Sequence, residues 1–358
     1  MILDWFALKP KLPLMAGIDI RGAFIRYLEL SKHGQNYRVE TFAQELLPEY
    51  VIHETEIDDP NKVGEGLLNL VKRIKRKSEY VAIAVSDAAV IIKNIEVSAE
   101  LSEIEIESQI MLEAERYIPY PLSEVSLDFT VLGPSKKNPG NVEVVLAACR
   151  SEHIDSRVEL LSQAGLTPKL IDVEAFAFER AFSLIAGQLP NRGKNQTVAI
   201  IDLGNTMTTL NVLHDGRSVY TREQLFGGGQ LIEEIQRRYG LDFEEAWIAR
   251  NMGSLPEDYE VEVLKPYLDA LLQQIGRALQ FFYSSTSFTE LHYIILAGQT
   301  ATLPGIAEMC QRGLGIGTAV ANPFLNMTMA SGINVPILLE DAPSWMVCCG
   351  LAMRSFAS

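Results

Sequence analysis

The chain has 358 residues, 47% of them hydrophobic, and a formal net charge of −15, so it is long enough for more than one compact domain. The acidic balance argues against general nucleic-acid binding, which usually needs a basic face, and no nucleic-acid motif is seen. No apolar run reaches the ~18 residues of a membrane span.

The four cysteines (Cys149, Cys310, Cys348 and Cys349) lack zinc-site spacing. They read as buried thiols in a reducing cytoplasm. The five histidines are scattered, so no metal cluster of histidines is expected. The N-terminus, MILDWFALKPKLPLM, lacks the small-residue cleavage site of a signal peptide. It reads as a short docking arm, with membrane contact through Trp5 and Phe6 as the other reading.

In chain order, Gly17 to Leu30 runs strand, Asp19, turn, strand, and Tyr37 to Ala43 reads as a third strand. A helix is expected over Lys62–Lys77, with Val63, Leu67, Leu70 and Ile74 on one face. Its basic end, Lys72 to Lys77, complements the helix dipole; a partner or anionic lipid is the alternative. Tyr80 to Val85 is a buried strand. Ser102 with Glu105 makes a capping box, opening a helix that carries Ile106, Ile110, Ala114 and Tyr117 to one side until Pro119 and Pro121 stop it. A strand at Val142–Ala148 and a helix from Ser151 to a stop at Gly165 complete an α+β insert. Residues 166–190 supply a strand and a helix bearing Asp172 and Glu174.

Thr197 to Leu213, TVAIIDLGNTMTTLNVL, organises the second half. A β-branched strand ends in Asp202, a turn holds Gly204, Asn205, Thr206 and Thr208, and a second strand leads to Asp215-Gly216. Such a bend can turn N–H groups and hydroxyls to a phosphate while the carboxylate holds a metal through water. The Asp19 hairpin is a degenerate copy, which implies a duplicated domain closing on a ligand. Gly227, Gly228 and Gly229 then lead a helix whose N-terminus could meet a phosphate. Val263 to Phe282 is a long amphipathic core helix, and Tyr293 to Ala297 is a strand. Gly298 to Gly305 is a strand-to-helix loop with Thr302 as N-cap and Pro304 in the first turn. The last helix, Ser344–Ser355, packs back on the first half.

Several runs resemble the PilM family of type IV pilus assembly proteins, actin-like proteins close to FtsA. They include Glu113-Ala114-Glu115, Tyr117-Ile118-Pro119-Tyr120-Pro121, Leu127-Asp128-Phe129 and Ala147-Ala148-Cys149-Arg150. Further matches are Tyr220 to Gly228, Arg237 to Leu241, Ala321-Asn322-Pro323-Phe324 and Cys349 to Phe356, so the resemblance runs from about residue 16 to the C-terminus. It implies an α/β, actin-like (ribonuclease H-like) duplicated fold with an FtsA-like α+β insert. The expected division is an arm at 1–15, a first actin-like domain at 16–92, 169–190 and 343–358, an insert at 93–168, and a second domain at 191–342 with a helical subdomain about 226–288.

The resemblance also implies a cleft for ATP or ADP with Mg²⁺. Asp19 and Asp202 would hold the metal through water. Arg21, Gly22, the 204–208 turn and the glycine run would hold phosphates, and Gly298, Gln299, Leu303, Pro304 and Gly305 would line adenosine. Glu174 would position the attacking water. The implied partner is the cytoplasmic N-terminal peptide of an inner-membrane PilN-like protein, with Tyr117, Tyr120 and Leu122 as contacts and the pilus motor ATPases as further candidates. The chain would thus be cytoplasmic and reach the membrane only through partners. It departs from the family where phosphates would sit. The first turn, Arg21-Gly22-Ala23-Phe24, has no hydroxyl; Arg26, Ile232 and Gln299 replace the usual lysine, threonine and glycine. Each lost hydrogen bond costs ~0.5–1.5 kcal/mol, so weak or slow nucleotide handling is expected, with Arg21 able to compensate by reaching a phosphate.

Overall fold

The computed structural model describes residues 12–53, 56–135 and 137–356; Trp5 and Phe6 lie outside them. The chain divides into two compact units, residues 85–160 and the remainder.

The larger unit opens with β1 (Ala16–Arg21), β2 (Phe24–His33) and β3 (Asn36–Leu46), an antiparallel meander that sets Asp19 opposite Arg26. A ribbon of β4 (Ile52–His53) and β5 (Glu56–Ile57) precedes α1 (Pro60–Arg73). Asp59 caps α1 by accepting from the Lys62 N–H, and Val63, Leu67 and Leu70 are buried beneath it. The helix stops at Arg73, short of the expected Lys77, because Ile74 is extended. Two of the three cations beyond the stop bond within the unit: Arg76 donates to the Gly165 carbonyl at 2.7 Å and Lys77 to Glu40 at 2.6 Å. β6 (Tyr80–Val85) pairs parallel with β1. Its entry is pinned by buried Glu29, which accepts from the Tyr27 hydroxyl at 2.6 Å and from the Lys77 and Ser78 N–H groups at 2.8 and 2.9 Å.

The smaller unit holds β7 (Val90–Ser98), α2 (Glu103–Tyr117), β8 (Val125–Pro134) and β9 (Asn141–Arg150), and α3 (Ser151–Gln163) leads out of it. Its antiparallel sheet has the order β7-β9-β8. The Ser102–Glu105 capping box is formed. Ile106, Ile110 and Ala114 bury themselves with Val97, Val144 and Leu146. Tyr117, expected on that face, is instead 42% exposed. The helix ends there, the residue before Pro119 is held extended, and Ile118 takes the core position.

The remainder runs β10 (Thr167–Val173), α4 (Glu174–Ile185), β11 (Thr197–Leu203), β12 (Thr208–His214), β13 (Arg217–Gln224), α5 (Gly228–Tyr239), α6 (Phe243–Met252) and α7 (Lys265–Ser285). It ends with β14 (Tyr293–Ala297), α8 (Ile306–Leu314), β15 (Thr318–Val320), β16 (Thr328–Met329), α9 (Val335–Glu340) and α10 (Met346–Ala352).

Two sheets result, ordered β10-β6-β1-β2-β3-β16 and β13-β12-β11-β14-β15. β1 and β11 hold equivalent places: each pairs antiparallel with the hairpin strand after it and parallel with a strand from later in the chain. This is the internal duplication expected from the two aspartate hairpins, with Asp19 and Asp202 near the ends of the equivalent strands. The long helix α7 buries Tyr267, Leu271, Ile275, Leu279 and Phe282 against the second sheet.

Helix α10 locks the first sheet. A Cβ on Gly17 of β1 would lie 2.2 Å from the Cys348 carbonyl oxygen, and one on Gly350 would lie 2.0 Å from that of Ala177 in α4. Only glycine permits backbone approaches this close. Asp172 joins the same region by ion pairs to Arg180 and Arg354. Burial raises the Cys348 and Cys349 thiols well above their ordinary range, which makes them poor nucleophiles.

Candidate functional site

Both aspartate hairpins and the elements expected to hold nucleotide converge in the larger unit. Asp19 sits near the end of β1, Asp202 near the end of β11, and Glu174 at the first position of α4, all three buried. The two turns face each other: a Cβ on Gly22, whose φ is +56°, would lie 2.8 Å from that of Asn205. The glycine run lies against the second turn, and Gly298 backs onto Asp202, with a Cβ there 2.6 Å from Asp202 Oδ1.

At the centre is Arg21. Its Nε donates to Asp19 Oδ1 at 2.7 Å and its Nη2 to Oδ2 at 3.0 Å, a bidentate pair. Its Nη1 donates to Asp202 Oδ2 at 2.6 Å and lies 3.3 Å from Glu174 Oε2. Burial opposes the charge on this guanidinium, but the carboxylates of Asp19, Asp202 and Glu174 outweigh it and hold the group well above its ordinary value. Arg21 is therefore a fixed cation turned toward carboxylates.

Three of the other expected phosphate donors, Gly228, Gly229 and Thr208, are also engaged. The Gly228 and Gly229 N–H groups donate to the carbonyls of Gly204 at 2.9 Å and Asn205 at 2.7 Å. The Thr208 hydroxyl donates to the Phe226 carbonyl at 2.6 Å. These glycines thus let the second turn and the start of α5 approach closely; a Cβ on Gly227 would fall 2.2 Å from the Asn205 carbonyl oxygen.

In the 298–305 loop, Leu303 belongs to the core of the second sheet, Gln299 is half-buried, and Pro304 and Gly305 are exposed. The expected N-cap at Thr302 is not formed. Its hydroxyl donates to the Gln299 carbonyl and closes a 3₁₀ turn, while left-handed Gly305 occupies the N-cap position of α8.

A cavity of about 240 Å³ opens beside the turns, lined by Gly22, Asn205, Thr206, Gly227 and Gly229 together with Tyr50, Glu49 and Glu233. Its described lining contains two glutamates and no lysine or arginine. The cavity walls therefore lack the positive charge a triphosphate needs, and the carboxylates that would hold a hydrated Mg²⁺ already bind a guanidinium. With Asp19, Asp202 and Glu174 taken up by Arg21, the side chains present do not fit the hydrated Mg²⁺ that the sequence resemblance implies. Glu49, Tyr50 and Glu233 carry no motif; they come from the loop after β3 and from α5, so sequence spacing does not reveal them.

On the smaller unit, Tyr117 and Tyr120 are 42% and 43% exposed. Lys93 Nζ lies 5.5 Å from the Tyr117 ring centroid and Arg150 Cζ 5.2 Å from that of Tyr120. Leu122 packs partly against the core of the unit. Ile104 and Leu112 on α2 are more exposed than either tyrosine, at 76% and 68%.

The family described as type IV pilus assembly protein PilM matches residues 17–356. The chain belongs to the PilM family. Among solved structures, it is 27% identical to a chain of a PilM–PilN type IV pilus biogenesis complex, with a TM-score of 0.79, covering 98% of this chain and 100% of that one. It also resembles the ethanolamine utilization protein EutJ from Carboxydothermus hydrogenoformans, at 15% identity and a TM-score of 0.56, covering 96% of this chain and 91% of that one. The fold is actin-like and the chain has the architecture of a PilM. No helix among the described residues is long and apolar enough to cross a membrane.

Proposed function

We propose that this chain is a cytoplasmic scaffold of the type IV pilus inner-membrane platform. It docks the N-terminal peptide of a PilN-like membrane protein and keeps a degenerate ATP site. The family match over residues 17–356 carries this reading, supported by the similarity to the PilM–PilN complex. The exposed rings of Tyr117 and Tyr120 on the smaller unit suit an apolar peptide, because a tyrosine buries a large area at low entropic cost.

Calorimetric titration of a PilN-like N-terminal peptide onto the full chain tests the reading. Saturable binding is expected, and Tyr117→Ala or Tyr120→Ala should weaken it roughly tenfold each. Absence of binding at high micromolar peptide would sink it.

The second reading is an ATPase whose cycle drives assembly of the machine. It draws on the convergence of Asp19, Asp202 and Glu174. Against it, Glu174 is paired with Arg21, and the usual hydroxyls of the first turn are missing. Catalysis of phosphoryl transfer depends on neutralising and positioning the phosphates, and the one cation of the first turn, Arg21, is bound to carboxylates.

A further inference from the structure

We infer that Arg21 is the resident cation of this fold: it stands where a hydrated metal would sit and ties the two sheets together without nucleotide. This deepens the degenerate-site part of the proposed function and rests on it. Asp19 belongs to β1 of the first sheet and Asp202 to β11 of the second, and one guanidinium bonds both. Its planar fork suits the task, since Nε and Nη2 take both oxygens of Asp19 while Nη1 is left for Asp202 and Glu174. Three buried carboxylates surround this one guanidinium and would be left uncompensated without it. A side chain supplies it at every metal concentration, whereas a hydrated ion must be drawn from solution at a cost in dehydration. Phe178 closes one side, its ring centroid 6.0 Å from Arg21 Cζ.

Two consequences follow from this exchange of a metal for an arginine. The native chain gains nothing from a divalent cation, and removing the guanidinium uncovers a site for one. The test uses the full chain and Mn²⁺ alone, followed by water-proton relaxation, with thermal unfolding in parallel. For the native protein, no Mn²⁺ binding that Asp202→Asn abolishes is expected, and neither Mg²⁺ nor Mn²⁺ should move the melting temperature.

The Arg21→Ser chain is expected to melt lower, to bind Mn²⁺, and to regain melting temperature as Mg²⁺ or Mn²⁺ is added. Saturable Mn²⁺ binding by the native chain, lost in Asp202→Asn, would overturn the inference. So would a folded Arg21→Ser chain indifferent to metal. If that variant does not fold, the native titration still decides. Peptide docking is read in a separate titration, so failure here leaves the platform reading standing.

Discussion

Gly350→Ala is expected to cost more than about 4 kcal/mol, enough to unfold a chain of ordinary stability. The new Cβ would stand 2.0 Å from the Ala177 carbonyl oxygen and 2.6 Å from its carbon. Both are backbone atoms of α4, so no rotamer change relieves the clash. Nor can α10 back away, because its Cys348 carbonyl already lies against Gly17 of β1, and Arg180 Nε holds the Gly350 carbonyl at 3.0 Å. Gly276→Ala in α7 is the control. Nothing lies within 4 Å of a Cβ there, and alanine in a helix interior should stabilise by about 0.5–1 kcal/mol. Urea unfolding followed by circular dichroism separates the two; equal midpoints would refute the packing account.

Glu29→Ala should cost about 3–5 kcal/mol, comparable to breaking a buried charged network. The carboxylate accepts from Tyr27, Lys77 and Ser78, two of these donors being backbone N–H groups that lead into β6. Truncation leaves all three donors buried without that acceptor, and each pays its desolvation. Glu29→Gln keeps a carbonyl oxygen in place and should cost less than half as much. The order native, Gln, Ala in urea midpoint checks the argument, and an alanine variant as stable as native would contradict it.

Much of the architecture is legible in the sequence because its signals are local. The β-branched run Val198-Ala199-Ile200-Ile201 and the Asp215-Gly216 turn specify a hairpin by themselves, and both residues of that turn adopt positive φ. The repeated strand–Asp–turn–strand pattern foretells the duplicated sheets. Misreadings arise where a period is carried past the end of an element. Tyr117 fits the 3.6-residue face of α2, but the chain turns at Ile118, so the next core contact comes from outside the helix. Thr302 has the chemistry of an N-cap, yet α8 begins four residues later, at Ile306.

The pairing of Arg21 was out of reach of the sequence for a different reason. Its partners Asp19, Glu174 and Asp202 lie 2, 153 and 181 residues away. Sequence alone allows the guanidinium to face a phosphate or a carboxylate. The fold decides between them by setting three buried carboxylates around the guanidinium, beside a cavity whose described walls hold no lysine or arginine.

The proposed role makes this PilM-family chain a platform rather than a motor. Steady-state phosphate release from ATP and Mg²⁺ by the full chain, with and without saturating PilN-like peptide, tests it most directly. No turnover above the no-enzyme background is expected in either condition. Turnover that disappears in Glu174→Ala would contradict it and restore the hydrolytic cycle as the chain's function.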